Sequence, residues 1–333
     1  MIRSVFWLPL AAALLLAALP ARAEIDIEIQ EVTSDSGIEA WLIEEHSLPF
    51  VALELRFRGG TSLDAPGERG AVNLMTGLLE EGAGELDAPA FSRARDAIAA
   101  KFSYDAGNDA VSISARFLRE TRDEAVDLLR ASLIEPRFDE AAIERVRAQV
   151  LSMIRSRDKD PGKLAGKAFS DLVYGDHPYA SRKIGTRDSV RALTRDDIVE
   201  AHEAAFARDR VVVSAAGDIT AEELSALLDD LLADLPAEGA PMPGEADLTM
   251  PGGVQVVDYE TPQSAVRFGQ PGLSRDDPDF FAAYILNHIV GGGGFESRLM
   301  NEVREKRGLS YGVHSYIVNR ENADIWMGSV NSA

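Results

Sequence analysis

Apolar and polar residues alternate in three early stretches, 28–32, 39–45 and 51–57, each bounded by turn formers, and a period of two predicts strands. Gly59-Gly60 closes the set. The period then changes: between 67 and 81, Ala71, Leu74, Met75, Leu78 and Leu79 recur at helical spacing, with Gly82 and Gly84 as stop signals. A second helix is expected over 88–101. A strand pair follows at 103–105 and 110–117, around Gly107-Asn108-Asp109. Helical patterns then dominate, over 122–133, 139–157, 162–174 and 195–206. The apolar run at 211–216 reads as a strand, and 221–235 as a helix with Leu224, Leu227, Leu228 and Leu231 on one side.

Residues 236–251, PAEGAPMPGEADLTMP, are dense in Pro, Gly and acidic side chains and have no periodic apolar face, which predicts a linker. It separates a first domain at 24–235 from a second at 252–333. Beyond it come strands at 253–258 and 265–270, a helix at 277–290, four glycines at 291–294, a helix at 295–306, and strands at 310–318 and 325–330. This order repeats the opening of the first half in pattern, though not in residues. Strands that precede and follow helix pairs, without strict β-α-β alternation, predict an α+β fold of two similar repeats, each an antiparallel sheet covered by helices. The last stretch breaks off in strand-like sequence without a closing helix, so the second repeat reads as incomplete.

Composition narrows the function classes. The chain has 333 residues, 46% of them hydrophobic, enough for a substantial core. With 34 Lys and Arg against 55 Asp and Glu, the formal net charge of -21 would repel nucleic acid and anionic lipid. The absence of Cys excludes disulfides and thiolate chemistry, so a metal would need His, Asp or Glu. Arg3, an apolar run over 5–19 and Ala21-Arg22-Ala23 form a signal-peptide pattern at 1–23. The reading is an exported protein beginning at Glu24, periplasmic where the source has two membranes, and free of the membrane once the leader is cleaved.

The block HPYASRKIGTRDSVRALTRDDIVEAHEAAF (177–206), followed by RVVVSAAGDI, resembles the insulinase/pitrilysin family of zinc metallopeptidases. The block SRLMNEVREKRGLSYGVHSY (297–316), after the glycine turn, is similar to that family's second domain, and the likeness runs in order along the whole mature chain. Active members hold zinc through an inverted His-x-x-Glu-His motif, whose i and i+4 imidazoles share one helix face while the Glu activates water. In the matching helix, GAVNLMTGLLEEG, those positions carry Asn73, Thr76 and Gly77. The downstream Glu ligand corresponds to Met153, and a supporting Glu one heptad earlier to Val146. Amide, hydroxyl, bare glycine and thioether make a poor zinc set. The five histidines, His46, His177, His202, His288 and His314, include no pair spaced to share a helix face. No metal or cofactor is therefore expected on this chain.

The resemblance also carries Arg304 and Tyr311, in REKRGLSY. In the family such a pair reaches into the catalytic site, where guanidinium and phenol donors hold a peptide carbonyl or a developing oxyanion. A chain without the zinc residues but with this pair resembles the non-catalytic subunits of bacterial two-chain members. That likeness implies a heterodimer with an intact zinc-binding homologue, zinc on the partner, and peptide substrates bound in part by strand addition. The alternative is a peptide-binding or scaffold protein without a proteolytic partner. The glycines at 291–294 follow a helix and lack the Lys-Ser/Thr of a phosphate loop, so they predict no nucleotide site.

Overall fold

The computed structural model describes residues 28–332, and the predicted leader at 1–23 lies outside them. The alternation read from the sequence becomes burial in β3 (Phe50–Arg58), where Val51, Leu53, Leu55 and Phe57 point into the core and Glu54, Arg56 and Arg58 point out. Around it stand β1 (Gln30–Thr33), β2 (Glu39–Glu44), β6 (Lys101–Ala106), β7 (Ala110–Leu118) and β8 (Val211–Gly217), in a six-stranded sheet of order β1-β2-β8-β3-β7-β6. A two-stranded hairpin, β4 (Gly82–Ala83) and β5 (Leu86–Asp87), lies apart from it. The expectation of a wholly antiparallel sheet needs correction: β2 and β8 run parallel, with Ala40 opposite Val213 and Leu42 opposite Ala215. A strand inserted between two others must match one direction or the other, and β8 is antiparallel to β3.

The helices of this half are α1 (Ala71–Thr76), α2 (Ala88–Ala97), α3 (Arg122–Ile134), α4 (Glu140–Arg157), α5 (Pro161–Tyr174), α6 (Arg187–Ala192), α7 (Arg195–Ala205) and α8 (Ala221–Leu232). All apart from α5 lay their apolar faces on the buried side of this sheet. Leu74 and Met75 of α1, Leu129 of α3, Ile143 and Val150 of α4, Ile198 of α7 and Leu224 and Leu228 of α8 join the sheet residues in one core. Each such side chain contributes roughly 1.5–3 kcal/mol of burial. Thr186, Thr194 and Thr220 start α6, α7 and α8 with reciprocal capping boxes, which satisfy N–H groups that a helix start leaves open.

The second sheet is antiparallel, β9 (Ser264–Pro271), β10 (Val313–Arg320) and β11 (Ala323–Ser332) in the order β9-β11-β10, the arrangement that β3-β7-β6 has in the first. A separate apolar cluster joins it to α5: Val173, Tyr174, Tyr179 and Ala180 pack with Ile325, and Leu248 and Met250 close over them. The hairpin turn between β10 and β11 is pinned to the first half. Tyr179 donates its hydroxyl proton to Asp109 and accepts the backbone N–H of Asn322 at 3.2 Å. Arg320 lies over the rings of Tyr179 and Tyr174, and Arg58 pairs with Glu321.

Several elements differ from the sequence reading. The helix expected over 67–81 contracts to α1, because Gly67 and Gly70 adopt φ of 98° and 99° ahead of it and the chain passes into turns after Thr76. Residues 253–258, where a strand was expected, form no strand and pair with none among the described residues, and Val254 is 91% exposed. The helices expected at 277–290 and 295–306 become α9 (Phe280–Asn287), wide π turns at His288–Gly292 and Met300–Glu305, and a short 3-10 turn at Gly294–Glu296. No described helix is long and apolar enough to cross a membrane.

Candidate functional site

Asp64 fixes the start of α1. Its carboxylate is buried and accepts the N–H groups of Gly70 at 2.7 Å and Val72 at 2.8 Å, and burial pushes its carboxyl up to about 6. Ser189 of α6 donates to the Arg69 carbonyl at 2.6 Å, and Gly185, at φ 75°, leaves only 2.1 Å between that oxygen and where a Cβ would stand. The loop into α1 is thus held from both sides. α1 itself packs against α7, α4 and the edge strand β6.

Asn73, Thr76 and Gly77 lie along this short helix and its C-cap. Thr76 is 4% exposed, and its hydroxyl donates to the Val72 carbonyl of its own helix at 2.7 Å, which leaves the side chain no free donor. Gly77 faces Val146 of α4, whose Cγ1 would stand 3.2 Å from a Cβ added at 77. Met153, further along α4, is 45% exposed. The structure thereby brings Gly77 and Val146 together and sets the other positions on two packed helices. These residues do not fit zinc: one hydroxyl is engaged, one position has no side chain, and an amide and a thioether supply no hard anionic ligand. Among the described residues no three His, Asp or Glu side chains converge as a metal site.

The histidines serve other contacts. His46 stands between carboxylates, Nδ1 2.7 Å from Asp218 and Nε2 3.2 Å from Glu44, and the bond to Asp218 raises its pKa. His177 accepts the Tyr179 N–H on Nδ1 and donates from Nε2 to the Gly244 carbonyl at 3.0 Å, tying the 236–251 segment to the first half. His202 donates to the Leu133 carbonyl at 2.8 Å, and burial lowers its pKa.

Arg304 and Tyr311 stand elsewhere. Arg304 lies in the π turn at Met300–Glu305, its guanidinium 4.6 Å from the Phe295 ring centre and its Nε 3.7 Å from Glu305. Tyr311 is 90% exposed and sits in a bend two residues before β10, where the sequence reading had it opening a strand. The principal contacts of the turn that carries Arg304 are with Gly294–Glu296 and β10. Sequence reasoning did not anticipate the buried Asp64 or the hydroxyl of Tyr179. The run Asp64-Ala-Pro-Gly and the His-Pro-Tyr turn were the available signals.

The family described as insulinase (peptidase family M16) matches residues 40–187, and the peptidase M16 inactive domain matches 192–331. A non-peptidase homolog, YmxG, of Helicobacter pylori is 30% identical over 271 residues, 81% of this chain and 63% of its own. An uncharacterized zinc protease of Streptomyces coelicolor is 32% identical over 268 residues, 77% of this chain and 57% of its own. This chain therefore spans less than two thirds of the length of either curated relative. The crystal structure of a peptidase M16 inactive domain from Pseudomonas fluorescens superposes with a TM-score of 0.82 at 30% identity, covering 92% of this chain and 74% of that one. A protease from Helicobacter pylori shares the fold at a TM-score of 0.78 and 17% identity.

Proposed function

The chain belongs to the insulinase family (peptidase family M16), and from that membership we propose that it is an exported, non-catalytic subunit of a two-chain peptidase. The observation that carries the proposal is the α1 site, where Thr76 is hydrogen-bonded to its own helix and Gly77 packs on Val146 in place of zinc ligands. A partner chain with an intact His-x-x-Glu-His motif supplies the zinc. Arg304 and Tyr311 are this chain's contribution to peptide hydrolysis, as donors to a substrate carbonyl and the developing oxyanion. The exposure of Tyr311 and the partial exposure of Arg304 support that role. Substrate strands add to the free edge of β6, beside α1, through backbone hydrogen bonds that tolerate many sequences.

The test is hydrolysis of a quenched fluorescent peptide library by this chain, by an intact zinc-binding homologue from the same organism, and by the two mixed. Activity in the mixture well above the homologue alone, lost with Arg304→Ala and Tyr311→Phe, supports the proposal. Zinc-dependent cleavage by this chain alone would overturn it. Silence of the mixture with a folded, metal-loaded homologue would leave peptide binding without proteolysis as the reading.

A further inference from the structure

The outward face of the six-stranded sheet is built mainly from short or polar side chains, Ser214 on β8, Ser114 on β7 and Ser103 on β6 among them. Trp41 on β2 breaks that pattern: it stands on the same face and is 52% exposed. Its cross-strand neighbour on β1 is Glu31, and on β8 it faces Ser214, too short to cover an indole. Glu39, two residues before Trp41, emerges on the same face opposite Thr33. Trp41, Glu31, Glu39 and Thr33, with Val212, line a cavity of about 280 Å³. No Arg or Lys lines it, and among the described residues neither Glu31 nor Glu39 has a cationic partner.

An aromatic ring left open beside two unpaired carboxylates attracts a cation by its quadrupole and by direct charge, and disfavours an anion on both counts. A neutral apolar ligand would bury the carboxylates without compensation. A planar guanidinium meets all three groups, stacking on the indole while its N–H fork reaches carboxylate oxygens. The cavity also lies beside β1, the terminal strand of the sheet, along which an extended segment can run. We propose that the Trp41, Glu31 and Glu39 pocket binds an arginine side chain presented by a basic polypeptide. This site is separate from the peptidase-subunit reading and stands or falls without it.

The test is fluorescence anisotropy of a labelled nonapeptide bearing one central arginine among glycines and serines, at 150 mM salt, against the whole chain. A second peptide carries citrulline, the neutral isostere, in its place. The expected result is saturable binding of the arginine peptide, weakened about tenfold by citrulline and about tenfold by Trp41→Ala, the scale of one desolvated cation–ring contact. Trp41→Ala leaves the net charge unchanged, so equal binding by this variant would reduce the effect to bulk charge and overturn the proposal. Glu39→Lys, which keeps the ring, is the second variant: it abolishes binding if the pocket is the site and spares it if not. Each variant is first shown to keep the parent circular dichroism spectrum. Displacement by agmatine as effective as by unlabelled peptide would assign the pocket to a small amine and refute a polypeptide ligand.

Discussion

Replacing Tyr179 by Phe removes one oxygen from the joint between the two sheets and leaves the ring. In the parent, burial together with the bond to Asp109 pushes the Tyr179 hydroxyl well above the usual phenol range, so it stays a donor. Its loss strips Asp109 of a charge-assisted bond and leaves the backbone N–H of Asn322 without that acceptor. A hydrogen bond to a charged group is worth about 1.5–3 kcal/mol and a neutral one about 1. Asp109 is only half-buried and recovers part of its bond from water, so the expected cost is about 2–3 kcal/mol. For a chain of this size that is a fall in Tm of about 5 °C. The stacking of Arg320 survives in the Phe variant and does not add to the loss. The assay is urea unfolding followed by far-ultraviolet circular dichroism and by tryptophan fluorescence. Trp326 sits in the second sheet, where its Nε1–H donates to Asn287 at 2.8 Å, and so reports that half. Asp109→Ala, which removes the acceptor, should cost about 1.5–2 kcal/mol, and the double variant little more than Tyr179→Phe alone, since both single changes remove the bond between Tyr179 and Asp109. A loss below about 0.5 kcal/mol, or full additivity in the double variant, would refute the reasoning.

Asp64→Asn probes pH dependence. A carboxyl whose folded pKa is about 6, against about 3.9 unfolded, binds its proton more tightly when native, so its contribution is greatest below pH ~4 and is lost as the pH rises through 6. The parent should therefore lose about 2–3 kcal/mol relative to the Asn variant between pH 3.5 and 7 in denaturant titrations, and parallel pH profiles would contradict this. Thr76→Glu, which restores a carboxylate where the family keeps its general base, places it in a site that is 4% exposed and should cost about 3 kcal/mol at pH 7. Burial raises the new group's pKa, so the deficit should shrink at pH 5; a thermal scan with no deficit at either pH would disprove that packing. Thr220→Ala removes the cap of α8, including its bond to the Glu223 N–H at 3.2 Å, and should lower stability by about 1 kcal/mol in the same titration.

Side chains that alternate between full burial and solvent made β3 and β7 legible, since Val51 to Phe57 and Val111 to Phe117 carry their own pattern. Capped helices such as α8 were legible for the same local reason. The parallel union of β2 with β8 was not, because no short-range signal says which distant strand fills a gap. Residues 253–258 show the converse: a valine-rich pattern is necessary for a strand, but the ladder needs a neighbour, and none stands beside it among the described residues. The four glycines at 291–294 explain why apolar periodicity overstated the helices on either side. At the α1 site, sequence supplied the identities of Asn73, Thr76, Gly77 and Met153. The hydroxyl of Thr76 is engaged within α1 itself, whereas the contact of Gly77 with Val146 depends on how α1 meets α4, which spacing alone does not encode.

The position of β8 has a consequence for biosynthesis. Roughly ninety residues separate the end of β7 at Leu118 from the start of β8 at Val211, yet β8 lies between β2 and β3, near the middle of the sheet. At about 5–20 residues per second, a ribosome needs roughly 5–20 s to make that stretch. Throughout that interval β2 and β3 have emerged with facing edges that nothing yet bridges. The first sheet cannot close vectorially from its N-terminal end, and the nascent chain offers open strand edges to whatever it meets first. Wherever the chain folds, that opening closes only once the strand ending at Gly217 is available to fill it.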